Sequence, residues 1–320
     1  MKLFRKKLAP VKFSSDFRQK ELKMLAPITE IFCDIDDFCK RYLKNVSLHL
    51  LPNPDRIRDK QSQMSISEIM TILVLFQMSH YRTFKDFYQN CILGESKNYF
   101  PKALSYTRFV ANKPSALMML TCYLISKSGD QTNLYFLDST SLAICHNKRI
   151  YRHRVFRDIA KRGKTTMGWF FGFKLHFVIN HQGEIVSFCV TKGNVDDRKV
   201  VEQLTKNLKG LLAADKGYID KALSENLEKR NLKLITKVRS NMKKKMFSVF
   251  EKFFLNKRNI IETIIDQLKH IYHLQHTRHR SPINFLVNIV AALTAYAWKP
   301  TKTAVKFNYL SGKNYSLIQN

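Results

Sequence analysis

Hydrophobic residues recur along this chain with two different periods, and the change falls near residue 130. From Ile28 the apolar positions Ile31, Phe32, Ile35, Phe38, Cys39 and Tyr42 follow helical spacing, which leaves Asp34 and Asp37 mostly on the other face. These acids read either as a metal site or as a solvated helix face. Ser65 and Glu68 have the spacing of a capping box ahead of the apolar run Ile69 to Phe76, so a helix starts there. Thr83 with Asp86 and Ser105 with Arg108 mark two more short helices, and Ala116 to Ile125 a further one. The last of these runs into Ser126-Lys127-Ser128-Gly129-Asp130, a polar stretch with the character of a domain boundary.

Beyond that boundary the pattern turns strand-like. Leu134 to Leu137 is a continuous apolar run ending at Asp138, as expected of a strand buried on both faces. Phe171 to Ile179 alternates, His181 to Glu184 turns the chain, and Ile185 to Val190 returns, which predicts a β-hairpin. Asn194, Asp196 and Asp197 open an amphipathic helix through Val200, Val201, Leu204 and Leu208. Leu211 to Ala214 reads as a short strand ending at Asp215. A helix over 222–229, a strand over 232–238 and a long helical region over 247–272 follow. The expected fold is α/β: a mixed-sheet domain preceded by an all-helical N-terminal domain. The expected units are residues 1–128, residues 129–300 and a C-terminal tail over 301–320.

Composition narrows the class. With 320 residues, 45% apolar and 12% aromatic, the chain is long enough for about two domains and apolar enough to fill their cores. Its 55 Lys and Arg against 25 Asp and Glu give a net charge of +30, which calls for a polyanionic partner, with nucleic acid ahead of an anionic membrane. Steep salt dependence of binding follows from that charge. The basic N-terminus is interrupted by Pro10, Lys12, Ser14 and Asp16, so no signal peptide is expected. Ile283 to Trp298 is shorter than the roughly 20 apolar residues needed to span a bilayer, so it reads as a buried helix. Six scattered cysteines with no C-x-x-C pair argue against a zinc ribbon and for a reducing, cytoplasmic setting.

Two acids at the ends of apolar strands carry the candidate chemistry. An ionised carboxylate at the end of a buried strand is costly unless a cation neutralises it, and a divalent metal does so directly. If the strands ending in Asp138 and Asp215 are neighbours, their carboxylates sit side by side. A helix packed across those ends supplies the third ligand, for which Glu262 is the candidate and Asp266, one turn on, a competitor. Arg258 and Lys269 lie near the same helix face as Glu262. Carboxylates holding two metal ions can activate a water or 3′-hydroxyl and stabilise the leaving oxygen of an in-line phosphoryl transfer.

At these residues the chain resembles a known family. Phe136-Leu137-Asp138-Ser139-Thr140, Lys161-Arg162-Gly163-Lys164, Gly168 to His176, Gly193-Asn194-Val195-Asp196-Asp197-Arg198, Asp215-Lys216-Gly217-Tyr218 and His279-Arg280-Ser281 resemble segments of the DDE transposases of bacterial insertion sequences, within them the IS982 family. The resemblance implies an RNase H-like catalytic domain, with Asp138, Asp215 and Glu262 as the catalytic, metal-binding triad for two Mg²⁺ ions, Mn²⁺ being the alternative. It also implies cleavage at the ends of the element and transfer of 3′-hydroxyls into target DNA. The partners it implies are double-stranded DNA, as terminal inverted repeats and target, and a homodimer or higher assembly in the synaptic complex, with no membrane. The location it implies is the bacterial cytoplasm, at the nucleoid. A related Tyr, Arg, Glu, Lys signature is matched by Arg258, Glu262 and Lys269, while its Tyr position holds Leu255.

Basic segments suggest where DNA lies. Residues 146–174 hold Lys148, Arg149, Arg152, Arg154, Arg157, Lys161, Arg162, Lys164 and Lys174 against the single acid Asp158. This segment joins the first candidate strand to the hairpin, so phosphate contacts are expected from it, with Arg258, Lys269, Arg278 and Arg280 completing the set. Lys243 to Lys245 form either a second DNA contact or a solvated face. In the helical part Arg82, Lys85, Lys102 and Arg108 are either contacts of a helix-turn-helix-like module or ordinary surface charges. Trp169, Phe170 and Phe171 either stack on a frayed base or fill the core. His270, His273, His276 and His279 recur every third residue, a spacing that rotates off one helix face, so zinc is not expected. Two rival functions remain: a structure-specific, metal-dependent nuclease that cuts without joining, and a catalytically inactive DNA-binding repressor.

Overall fold

A computed structural model describes residues 15–47, 62–166, 168–237, 246–275 and 279–305. The helical half is built around α1 (Ser15–Ser47), which buries Ile28, Ile31, Ile35 and Cys39 along the predicted stripe. The capping box forms as read. Ser65 Oγ accepts from the Glu68 amide at 3.1 Å and Glu68 accepts from the Ser65 amide at 2.6 Å, opening α2 (Ile66–Met78). Such a cap stabilises a helix by about 1 kcal/mol. Thr83 caps α3 (Phe84–Asp86), after which the backbone widens into a π-helical segment, Phe87–Glu95. Ser105 precedes α4 (Tyr106–Asn112) as expected but makes no side-chain cap bond, so that helix starts without its predicted device. α5 (Ala116–Ser126) closes this half.

The sheet carries β1 (Leu134–Cys145), β2 (Lys161–Thr165), β3 (Gly168–Asn180) and β4 (Ile185–Lys192) in antiparallel arrangement. β5 (Gly210–Ala214) and β6 (Leu232–Thr236) run parallel to β1. Its order is β2-β3-β1-β5-β6, with β4 also paired to β3. β2 covers Gly168 to Gly172 of β3 and β4 covers Phe173 to Ile179, so the two share one edge of the sheet end to end. Alternation sorts the β1 side chains: Phe136 faces the large core with the helical half, and Tyr135 and Leu137 face a second core with Val201, Leu204, Leu223 and Leu227. α6 (Val201–Leu204) and α7 (Lys221–Glu228) cover that second face. The helix expected through Leu208 stops early, where Thr205 turns its hydroxyl back onto the Val201 carbonyl at 2.7 Å.

On the large-core face, the long helical region expected over 247–272 is broken into α8 (Val249–Asn256) and α9 (Asn259–His270), with Lys257 and Arg258 at the joint. The apolar run near the C-terminus forms α10 (Pro282–Ala297), buried along most of its length. α10 packs on α2 and α5, and Gln77 of α2 donates to Asn288 of α10 at 2.8 Å inside the core. One core therefore joins the helical half to the sheet. Among the described residues no helix is long and apolar enough to cross a membrane.

Candidate active site

Asp138 does not end its strand. Leu142 and Ile144 continue the inward alternation, so β1 runs to Cys145 and places Asp138 in its middle, where its partner on the other edge stops. The last parallel pair is Leu137 with Ala214, so the next residues, Asp138 and Asp215, stand abreast at the end of β5. Period-two alternation points both acids to the face of Phe136 and Ala213, the face covered by α8 and α9. Glu262, in the first turn of α9, approaches from that side.

Arg258 draws the three acids together. Its Nη1 donates to Asp138 Oδ2 at 3.2 Å, its Nη2 lies 2.5 Å from Glu262 Oε1, and the same Nη2 is 3.9 Å from Asp215 Oδ1. The Arg258 and Asp138 side chains are only 14% and 19% exposed, whereas Asp215 and Glu262 are 55% and 52% exposed. Burial pushes the Asp138 carboxyl up to about 6. The Ser139 amide and Arg258 pull it down, and the charges of Asp215 and Glu262 push it further up. The helix break at Lys257 and Arg258 is what delivers the guanidinium here, since it sets Arg258 at the N-terminal end of α9.

The donor set is all carboxylate oxygen, which suits hard divalent cations such as Mg²⁺ or Mn²⁺. Among the described residues no three His, Cys, Asp or Glu side chains stand close enough together to hold a metal ion. The three acids meet around a guanidinium and fit such a metal in the chemistry of their oxygens.

A second layer, whose mutual contacts the sequence pattern did not predict, lies behind Asp138. On the opposite face of β1, Ser139 Oγ donates to Asp197 Oδ2 at 3.0 Å, while Asp197 Oδ1 accepts from Lys174 Nζ at 2.7 Å. His176, fully buried, shares a 2.8 Å hydrogen bond with Thr191 and sets its Nδ1 3.9 Å from Asp197. Tyr218 is buried nearby, and desolvation with the charges of Asp138, Asp197 and Asp215 raises its phenol well above the ordinary value. Asp197 read as a helix-start residue and as part of the Gly193 to Arg198 segment, with no contact to Ser139 or Lys174 expected. The available signal was the strand alternation itself, which turns Ser139 away from Asp138 and toward the 193–197 turn.

The expected DNA contacts divide. Arg149, Arg152 and Arg154 lie exposed on the 3-10 turn after β1 and in the loop beyond it, and Lys161, Arg162 and Lys164 project from β2. Arg280 is exposed ahead of α10. Lys174 differs from the expectation of a free phosphate contact, because it is held by Asp197 and by the Val195 carbonyl at 3.0 Å. Arg258 likewise faces carboxylates, and Lys269 is half-buried, its ammonium pKa lowered by desolvation. Arg278, His276 and Lys243 to Lys245 lie outside the described residues. In the helical half, Arg82, Lys85, Lys102 and Arg108 are exposed. Asp34 bonds the Tyr123 hydroxyl and pairs with Lys127, so its charge is matched inside the helical half. The aromatic trio separates too: Phe170 and Phe171 are buried, whereas Trp169 is 60% exposed.

Residues 128–282 match the family model described as a transposase DDE domain. Asp138, Asp215 and Glu262 all lie within that span. No curated protein matches the chain. Among solved structures, the chain is similar to the piggyBac transposase in a synaptic complex with hairpin DNA, at 12% identity and a TM-score of 0.47, covering 84% of this chain and 72% of that one. It is also similar to a chain of the Mos1 strand transfer complex, at 8% identity and a TM-score of 0.23, covering 81% and 84% of the two chains.

Proposed function

We propose that this protein is a DDE transposase of the IS982 type, which binds the terminal inverted repeats of its element, cleaves at their ends and joins the freed 3′-hydroxyls to target DNA. The observation that carries this reading is the meeting of Asp138, Asp215 and Glu262 around Arg258, inside the span that matches the DDE domain. The net charge of +30 supports DNA as the partner.

In this reading the three carboxylates hold two Mg²⁺ ions, for which Mn²⁺ can stand in. Metal bound there supplies activation of the attacking oxygen and charge stabilisation at the leaving one. The chain's own residues do the rest. Asp138, fixed mid-strand by the Ser139 amide and braced by the Ser139 to Asp197 bond, is the rigid member of the set. Asp215 and Glu262, more exposed, adjust to the bound phosphodiester. Arg258 neutralises the site before DNA arrives and turns to a phosphate afterwards. Arg149, Arg152, Arg154, Lys161, Arg162, Lys164 and Arg280 hold the strand on the face beside the carboxylates, with Arg278 and Lys269 adding to them. Residues 1–128 contribute to recognition of the repeats, residues 129–300 perform the chemistry and 301–320 form a tail. A dimer or larger assembly brings two element ends together in the bacterial cytoplasm.

The test is incubation of the protein with Mg²⁺, a labelled duplex bearing the element's terminal repeat and a supercoiled target plasmid. Joined products support the transposase. Cleavage without joining replaces it with a nuclease, and repeat-specific binding with neither replaces it with a repressor.

A further inference from the structure

A cleft of about 360 Å³ opens between β2, the start of β3 and the turn after β4. One wall is Trp169, an exposed indole with the Lys164 ammonium over its ring at 5.8 Å from the centroid. Arg162 stands on the same strand as Lys164, and Asn194 offers an exposed amide from the turn opposite. The cleft reaches Gly217, two residues past Asp215, and Asp197, which is bonded to the neighbour of Asp138.

The walls are fixed before any ligand arrives. Asn147 donates to the Trp169 carbonyl at 2.6 Å, which anchors the strand beneath the indole. The turn is pressed against β2 so closely that a Cβ on Gly163 would lie 2.2 Å from the Gly193 carbonyl oxygen. The two acids in the lining are already matched. Asp197 pairs with Lys174 at 2.7 Å and Asp196 with Arg198 at 2.5 Å. Arg162 and Lys164 are exposed and form no ion pair among the described residues, so the open charge of the cleft is positive. An exposed aromatic face flanked by free cations is the combination that holds a nucleotide whose base has left the duplex, the base stacking and the phosphate paired.

We infer that this cleft binds an unpaired nucleotide of a DNA strand, its base stacked on Trp169 and its phosphate held by Arg162 and Lys164. The inference rests on the reading of Asp138, Asp215 and Glu262 as the reacting centre, because that is what brings a DNA strand to this chain. Its consequence is that a strand end frayed at the site is held open instead of re-pairing.

Intrinsic tryptophan fluorescence tests it without any reaction. The protein has two tryptophans, and Trp298 is half-buried with its indole bonded to the Tyr123 hydroxyl at 3.0 Å, so Trp169 is the one open to a strand. A single-stranded oligothymidylate of about 8 nucleotides should quench the emission, and binding read by anisotropy should weaken at least about fivefold in Trp169→Ala, with partial recovery in Trp169→Phe. Exposure of Trp169 means that these variants fold. A blunt duplex of equal length and free thymidine monophosphate should leave the emission unchanged at the same concentration. Quenching by the blunt duplex to the same extent, quenching by the free nucleotide, or unchanged binding in Trp169→Ala each overturns the inference. Quenching that survives in a protein unable to join DNA keeps the cleft and removes the transposase. Joining without quenching does the reverse.

Discussion

Arg258 Nη1 and Asp138 Oδ2 lie 3.2 Å apart, tying the start of α9 to the middle of β1. Both side chains are largely buried, so each offsets part of the other's lost hydration, beside the Ser139 amide on Asp138 and Glu262 on Arg258. Arg258→Ala leaves Asp138 among two other carboxylates with no cation. Without metal, the variant should lose about 1–3 kcal/mol of stability. Because the acids are then open to a divalent ion, Mn²⁺ should restore more stability to the variant than it adds to the parent. Denaturant melts in EDTA and in Mn²⁺ read both effects, and Arg258→Lys should fall between. Equal response of parent and variant to Mn²⁺ would show that Arg258 does not occupy the metal's place.

Asp138→Asn removes one charge from the candidate metal set while keeping the shape of the side chain. Cleavage and joining should disappear, and affinity for the repeat duplex should stay as in the parent, since Asp138 faces carboxylates and Arg258 and offers nothing to a phosphate. A gel-shift titration run beside the joining assay separates the two. Full joining by the variant would remove Asp138 from the reaction.

The region around these residues also shows what the sequence carries openly. The continuous apolar run Leu134 to Leu137 reveals a strand with two buried faces, because both cores press on it. The parallel neighbour β5 is legible for the same reason. β2 is not, since Lys161-Arg162-Gly163-Lys164 has no apolar alternation and its pairing comes entirely from β3. The same basic letters give no sign that Lys174 is committed to Asp197 while Lys164 forms no ion pair among the described residues, a difference made by the turn after β4. The joint at Lys257 and Arg258 is hidden because apolar spacing continues across it in both helices. The role of α10 in both halves is hidden too, because a helix buried all round does not say what buries it.

His176 gives the molecule an acid-side weakness. Burial lowers its imidazole to about 4, against partial opposition from Asp197, while the unfolded chain titrates near 6.5. The unfolded state therefore takes up a proton that the folded state refuses. The stability contributed by the neutral ring is complete above about 6.5 and is lost as pH falls toward 4. The loss should amount to about 3 kcal/mol across that interval. His176→Gln, which can keep a hydrogen bond to Thr191, should flatten the slope of unfolding free energy against pH there. An unchanged slope in the variant would assign the acid sensitivity to other groups.

Gly163 is required by proximity, not by backbone conformation, as its φ lies outside the left-handed region. An added Cβ would meet the Gly193 carbonyl oxygen at 2.2 Å and the Phe170 ring at 2.6 Å. Neither neighbour can yield cheaply, the first being backbone and the second a buried ring. Gly163→Ala must push β2 away from the turn after β4, at a cost of about 1–3 kcal/mol. Gly217 is the matched control on the other side of the same cleft, because nothing lies within 4 Å of a Cβ built there. Gly217→Ala should be neutral or stabilising by up to about 1 kcal/mol, through the reduced entropy of the unfolded chain. Urea melts of the two variants test the contrast. If both keep the parent's stability, β2 and the Gly193 turn are not in contact, and the cleft between them is larger than about 360 Å³. If only Gly163→Ala falls, its single-strand binding should fall with it, because the strand that moves carries both Arg162 and Lys164.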